Sequence, residues 1–470
     1  MKMIRIGSVF AGFLSLALSL SAQTLTTLHS FDSTDGSRPA AGLVQATNGG
    51  LYGTTEYGGA NTYGTVFKIT RSGALTTLHN FDDTDGAASV APLVQATNGN
   101  LYGTTSGGGV MFAGTVFKIT PSGTLATLYS FAPEPDGNEP FAGLVQATDG
   151  NLYGTTAYGG PENDGTVFKI TPSGTLTTIY NFCSLSNCTD GNESFAPLVQ
   201  AIDGNLYGTT INGGTVGGGT IFKITPSGTL TTVYNFCSQV SCADGASPYA
   251  GLVQAANGDF YGTTDVDGAN GEGTVFKITS GGTLTTLHSF DGTDGFIVQA
   301  GLVQATDGNF YGTTEQGGAD SGGTIFKITP SGTLTTVYNF CSQTSCTDGS
   351  HPYAQLVQAT DGNLYGTTYY GGTSVACTAG CGTVFGLSVG LGPFVETLPT
   401  SGKVGAAVKI LGTNLTGSTS VTFNGTAATF TVVSSSEITT TVPAGATTGK
   451  VKVTTPHRTL TSNVSFRVIP

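Results

Sequence analysis

Apolar and polar positions along the chain fall into one block of about 50 residues that is written repeatedly. In residues 143–182 it reads GLVQATDGNLYGTT, AYGGPEND, GTVFKITPSG and TLTTIYNF. Four runs rich in Val, Ile, Leu, Tyr, Phe and Thr predict strands a (GLVQA), b (NLYGTT), c (GTVFKIT) and d (TLTTIYNF), because such side chains suit a pleated surface. Runs like LVQ and TVF lack strict alternation, so both faces of the resulting sheet are expected to be covered. Asn-Gly or Asp-Gly separates a from b in every copy, from Asn48-Gly49 to Asp361-Gly362, and predicts a type I′ hairpin turn. PSG, RSG or SGG closes the c–d connection. No stretch after residue 22 sustains helical periodicity. Each block is therefore an antiparallel four-stranded meander, the size of one propeller blade.

The most constant element is LYGTT or FYGTT, with tyrosines at 52, 102, 153, 207, 261, 311 and 365, at intervals of 50, 51, 54, 54, 50 and 54 residues. Strands a, b and c each occur seven times. Strand d does too, but its first copy, TLTTLHSF at 24–31, precedes any a strand, and the last unit lacks one. The N-terminal strand is expected to complete the seventh unit and close a ring, which removes the exposed edges. Leu51 and Tyr52 should pack on opposite faces, with Gly53 admitting a close approach from a neighbouring blade. The tyrosines thus read as core, not as a binding site.

The unit resembles the GloVer repeat, a tandem element of exported bacterial proteins with a GTVFKITPSG…YSF signature, over roughly residues 24–389. That resemblance implies secretion and varied C-terminal anchors, and no established activity. Neither a short sorting signal nor a terminal membrane segment is evident here.

The spelling changes at Pro393. Pro399, Ser401-Gly402, Gly412-Thr413-Asn414-Leu415, Val421-Thr422-Phe423-Asn424-Gly425, Val442-Pro443 and Gly449 resemble an IPT/TIG domain. This implies an immunoglobulin-like β-sandwich that spaces or binds. The expected organisation is all-β: a signal peptide at 1–22, a seven-bladed β-propeller at 23–390, a linker at 391–394 and an IPT/TIG domain at 395–470.

Composition and cysteines place the chain outside the cell. MKMIR, the apolar IGSVFAGFLSLALSL and SAQ read as a secretory signal peptide cleaved near Ala22. The apolar run is short for a membrane span, no Cys follows it for lipid attachment, and no later segment is expected to cross a membrane. The eight Cys form four close pairs, Cys183/Cys188, Cys237/Cys242, Cys341/Cys346 and Cys377/Cys381. Zinc is the competing reading, but it favours tighter pairs combined in sets of four, so local disulfides are expected. A monomeric, exported protein at the surface or secreted follows.

Charge narrows the partners. The blade region holds 8 Lys and Arg against 27 Asp and Glu, and residues from 391 onward hold 6 against 2. Nucleic acid is a poor partner for such a surface. Antiparallel parity puts a–b and c–d turns on one side and b–c and d–a loops on the other. The second side carries the length changes, the cysteines and 22 of the 27 acids, so it is the expected working face. One acid precedes Gly in every d–a loop (Asp35, Asp85, Asp136, Asp190, Asp244, Asp294 and Asp348); it reads as a turn-stabilising acceptor, with a ring of cation sites as the alternative. In DVDGANGEG at 265–273, Asp265, Asp267, Asn270 and Glu272 offer oxygens for calcium, although a solvated acidic loop has the same spelling. No cofactor is required by any motif. His29, His79 and His288 occupy a position that is Tyr129, Tyr180, Tyr234 and Tyr338 elsewhere, His351 and His457 are isolated, and no nucleophile–His–acid set emerges. The expected function is non-enzymatic binding or adhesion to an extracellular glycan or envelope protein through one acidic face. The alternatives are a carbohydrate-active enzyme (polysaccharide lyase or glycoside hydrolase using two loop carboxylates) and a structural envelope component.

Overall fold

The computed structural model describes residues 23–469, so the signal peptide expected over 1–22 lies outside the described residues. Each sequence unit folds into one four-stranded antiparallel sheet, and seven such sheets lie between Thr24 and Ser388. In the first, strand a is Val44–Gln45, b is Leu51–Thr55, c is Thr65–Ile69 and d is Leu75–Asn80. The architecture is all-β and propeller-like. No helix of the described residues is long and apolar enough to cross a membrane.

Two local expectations are corrected. Strand a pairs through only two residues instead of five. The a–b connection is not a type I′ turn, because neither Thr47 nor Asn48 has positive φ. Instead Gly49 N–H donates to Ala46 O at 2.8 Å, Ala46 N–H donates to Gly50 O at 2.9 Å, and Gly49 alone has φ 82°. This is a three-residue loop ending in a left-handed Gly. Asn48 selects it by accepting the Gly50 N–H at 3.0 Å while its amide donates to the Tyr52 hydroxyl at 2.6 Å. In later units Asp149, Asp203, Asp307 and Asp361 accept the hydroxyl of Tyr153, Tyr207, Tyr311 and Tyr365. Turn acid and buried tyrosine are therefore one device.

Strand b is buried end to end. Leu51 packs with Phe31, Tyr365 and Val384 of the preceding sheet, and Tyr52 packs with Leu93, Leu101 and Phe117 of the following one. The opposite-face expectation holds. Gly53 needs no Cβ for a different reason than expected: one would lie 2.7 Å from Phe67 Cζ and 2.8 Å from Leu43 Cδ2, both in its own unit.

Glutamines at the end of strand a lace neighbouring units together. Gln95 Oε1 accepts the Thr47 N–H at 2.8 Å, Gln146 Oε1 accepts Thr97 N–H at 2.8 Å, and Gln200 Oε1 accepts Thr148 N–H at 2.9 Å. The same bond joins the last unit to the first, from Thr360 N–H to Gln45 Oε1 at 2.8 Å. At the rim, Thr24–Ser30 pairs antiparallel with Thr383–Ser388, from Thr24 opposite Ser388 to Ser30 opposite Thr383. The displaced N-terminal strand does complete the last sheet.

Residues from Glu396 form a four-stranded and a five-stranded sheet around a core that includes Val408, Ile410, Val421, Phe423, Ile438, Val453 and Phe466. This module sits against the a–b turns. Ser436 Oγ donates to Thr47 O at 2.9 Å, Thr360 and Thr413 hydroxyls meet at 2.8 Å, and Arg467 reaches Ile202 O. Arg71 replaces the Pro of PSG in one unit only, and the contact explains it: its guanidinium donates to Thr413 and Thr360 hydroxyls at 3.1 and 3.3 Å and lies 3.4 Å from Asp361.

Deleting residues 24–31 should leave Thr383–Ser388 as an open edge and strip Phe31 from the adjoining core. Thermal melting should fall by roughly 10 °C or more, or the protein should aggregate. A monodisperse deletion variant with an unchanged melting temperature would refute the closure.

Candidate functional site

The b–c and d–a loops share one face, as parity requires. Ser37 and Tyr57, one from each loop type, exchange backbone hydrogen bonds at 2.8 and 3.2 Å. The acid before Gly is consumed within its loop. His29, His79 and His288 meet Asp35, Asp85 and Asp294 at 2.6 Å, while Tyr180, Tyr234 and Tyr338 donate to Asp190, Asp244 and Asp348 at 2.7, 2.8 and 2.8 Å. These carboxylates also accept backbone N–H groups, such as Asp32 into Asp35 and Ser184 into Asp190, both at 3.0 Å. In the longer loops, disulfides join Cys183–Cys188, Cys237–Cys242 and Cys341–Cys346, and Cys377–Cys381 closes a b–c loop. His/Tyr–Asp latches and staples make this face a stiff frame.

At its centre, every unit contributes to one cavity of about 250 Å³. The main contributors occupy a single repeat position, two residues before the Gly, Pro or Gln that precedes LVQ. That position is small in the first two units, Ala40 and Val90. It is aromatic in the next three, Phe141, Phe195 and Tyr249, then Gln299 and Tyr353. The residue after LYGTT adds Glu56 and Tyr369. One arc is therefore a stacked aromatic wall, with Phe141–Phe195 and Phe195–Tyr249 centroids 5.1 and 4.9 Å apart at 26° and 24°. The rest of the lining is mixed: Ala40 and Val90 are small, while Tyr353 and Tyr369 of the last unit lie with ring centroids 4.9 Å apart.

Carboxylates edge the wall. Glu56 accepts the Tyr369 hydroxyl at 2.7 Å, and the Arg38 guanidinium lies 5.3–5.6 Å from the centroids of Tyr57, Tyr369 and Tyr370. Behind the wall, Gln299 donates to Asp265 Oδ2 at 3.3 Å, while Asp265 Oδ1 is buried without a partner. Burial pushes the Asp265 carboxyl up to about 6, Gln299 opposes that shift, and the negative Glu315 adds to it. Burial, then Asp265, pushes the Tyr249 phenol up to about 12. Burial pushes His351 down, with Glu315 opposing, and its Nδ1 is buried without a partner.

Of the four residues expected around calcium, only Asp265 turns toward this region. Asp267 and Glu272 oppose each other in an isolated bridge, and the Asn270 amide donates to Ser289 O at 3.3 Å. Among the described residues, the metal-compatible group containing Asp267 includes Cys237 and Cys242, whose sulfurs are already bonded to each other. The structure thus spreads the four residues between a place behind the cavity lining, where Asp265 meets Gln299, and an outer loop. The aromatic wall, Glu56 and Glu315 escaped sequence reasoning. Their signal is a pair of repeat columns that vary, the one carrying Phe141, Phe195 and Tyr249 and the one directly after LYGTT carrying Glu56 and Glu315.

A sequence profile of the Gloeobacter/Verrucomicrobia repeat matches residues 7–201 and 196–433. The chain belongs to that repeat family. No curated protein matches it in sequence. Among solved structures, this Gloeobacter/Verrucomicrobia repeat protein is similar to virginiamycin B lyase from Staphylococcus aureus, at 13% identity and TM-score 0.50 over 78% of this chain and 99% of that one. It is also similar to the extracellular domain of a hybrid two-component system from B. thetaiotaomicron, at 10% identity and TM-score 0.51 over 83% of this chain and 46% of that one. At these identities the likeness concerns the fold alone.

The Asp265 shift makes a pH prediction for the repeat protein. A carboxyl raised in the folded state contributes its full stability below its unfolded value of about 3.8 and loses it as pH rises through about 6. Asp265→Asn should be more stable than wild type at pH 7, by on the order of 2 kcal/mol, with the gap closing below pH 4. Thermal melts across that range check this; a gap independent of pH would contradict it.

Proposed function

We propose that this chain is an exported, non-enzymatic binding protein that takes a saccharide in its axial cavity. In this reading residues 23–390 are a closed seven-bladed propeller, 391–394 a linker and 395–470 an immunoglobulin-like IPT/TIG module. The cavity carries the proposal: among nearly identical units, residue choice diverges at the positions that line it. The aromatic arc gives a saccharide an apolar surface to lie against, and Glu56, Gln299 and Gln355 offer acceptors and donors for hydroxyls. The disulfides and the signal-like N-terminus support an extracellular setting. The module on the a–b turns leaves the loop face for the ligand.

A carbohydrate-active enzyme is the second reading, favoured by one observation: the raised carboxyl of Asp265, influenced by Glu315, resembles a proton donor beside a charged partner.

Binding to a polysaccharide and envelope-component panel tests the first reading. Tyr249→Ala, shown to be folded by circular dichroism, should weaken the best ligand about tenfold or more. Unchanged affinity would move the site elsewhere. Turnover of a panel member, lost in Asp265→Asn and in Glu315→Gln, would replace binding with catalysis.

A further inference from the structure

The C-terminal module holds a constellation that the binding reading does not use. Lys450 lies on the strand Gly449–Thr454, Asn463 on Thr459–Val468 and Glu396 on Glu396–Leu398. The ladder between the first two strands is irregular: Lys450 opposes Ser465, but Lys452 opposes Thr461. The extra residues bulge against the segment leading to Glu396, where Val395 bridges Ser462. Asn463 is thereby placed between the other two. Lys450 Nζ reaches the main-chain carbonyl of Asn463 at 2.5 Å, and Asn463 Nδ2 donates to Glu396 Oε1 at 3.2 Å. The Val464 N–H donates to Asn463 Oδ1 at 2.8 Å.

These are the parts of an amide exchange: an amine beside the target residue, a carbonyl oxygen already held by an N–H donor, and a carboxyl at the leaving nitrogen. We propose that Lys450 and Asn463 form an intramolecular amide cross-link, with Glu396 carrying the proton. The neutral Lys450 amine adds to Asn463 Cγ, forming the new C–N bond and placing negative charge on Oδ1, where the Val464 N–H stabilises it. Glu396 passes a proton to Nδ2 and recovers one from Nζ. The Cγ–Nδ2 bond breaks, ammonia leaves, and one amide replaces another without oxidation or reduction.

The electrostatics agree with these roles. Neither Lys450 nor Glu396 joins an ion pair among the described residues. Burial pushes the Lys450 ammonium down, which favours the nucleophilic amine. Part of Glu396 remains accessible, but protein surrounds its carboxyl and pushes it up to about 7, against the Asn463 hydrogen bond. It can therefore both hold and release a proton near neutrality. The product would staple the last two strands across their bulge in a module that lacks disulfides.

Intact-mass measurement and peptide mapping of the folded, reduced full-length mature protein test the cross-link. Wild type should be lighter than its composition by one ammonia, with the peptide containing Lys450 joined to that containing Asn463. Glu396→Gln and Lys450→Arg, each shown to be folded by circular dichroism, should show a deficit one ammonia smaller than wild type and separate peptides. Cyclisation of Gln23 at a processed N-terminus also loses ammonia, so the joined peptides decide the matter. Folded wild type with separate Lys450 and Asn463 peptides would overturn the proposal.

Discussion

The pairing of Thr24–Ser30 with Thr383–Ser388 is the constraint on which the other features depend. Each sheet buries one face against its predecessor and the other against its successor, so an incomplete last sheet would expose two apolar surfaces. Joining the chain's beginning to its last repeat lets Phe31, Leu51, Tyr365 and Val384 share one core across the seam. The Thr360–Gln45 bond repeats that closure near the axis. A closed ring also brings the same repeat position from every unit to one point, and that point is the cavity.

Repetition then separates stability from specificity. LYGTT, the Gln bonds and the His/Tyr–Asp latches recur because each solves the same packing or desolvation problem. A buried tyrosine hydroxyl needs an acceptor, and the turn acid supplies it. The position lining the axis has no such duty and runs from Ala40 through Tyr249 to Gln299. Seven nearly equal units thus enclose an unequal cavity, with a stacked aromatic wall along three units and a mixed lining along the others.

The meander, the displaced first strand and the paired cysteines were legible because each is local spelling or counting. Turn type was not, since Asn-Gly suits more than one loop and the choice lay with the Asn48–Tyr52 contact. The meaning of Arg71 was hidden for the same reason: its partners, Thr413 and Thr360, are distant in sequence. The acid-rich loop at 265–273 drew attention by composition, yet the fold turns Asp265 inward, where Gln299 and burial govern it. Aligning the units by column instead of scanning for acids would have led to Tyr249 and Glu56.

The C-terminal module covers turns that are nearly the same in every unit and leaves the variable loops free, so scaffold and site occupy opposite ends of one axis. All of this presumes a ring joined at its seam. Hydrogen–deuterium exchange of the intact protein reads that seam directly. Amides of Thr24–Ser30 should exchange as slowly as those of Leu75–Asn80 and Leu125–Ser130, the equivalent strands of covalently continuous sheets. Exchange in 24–30 at the rate of an unpaired terminus, with the other two strands protected, would contradict the account.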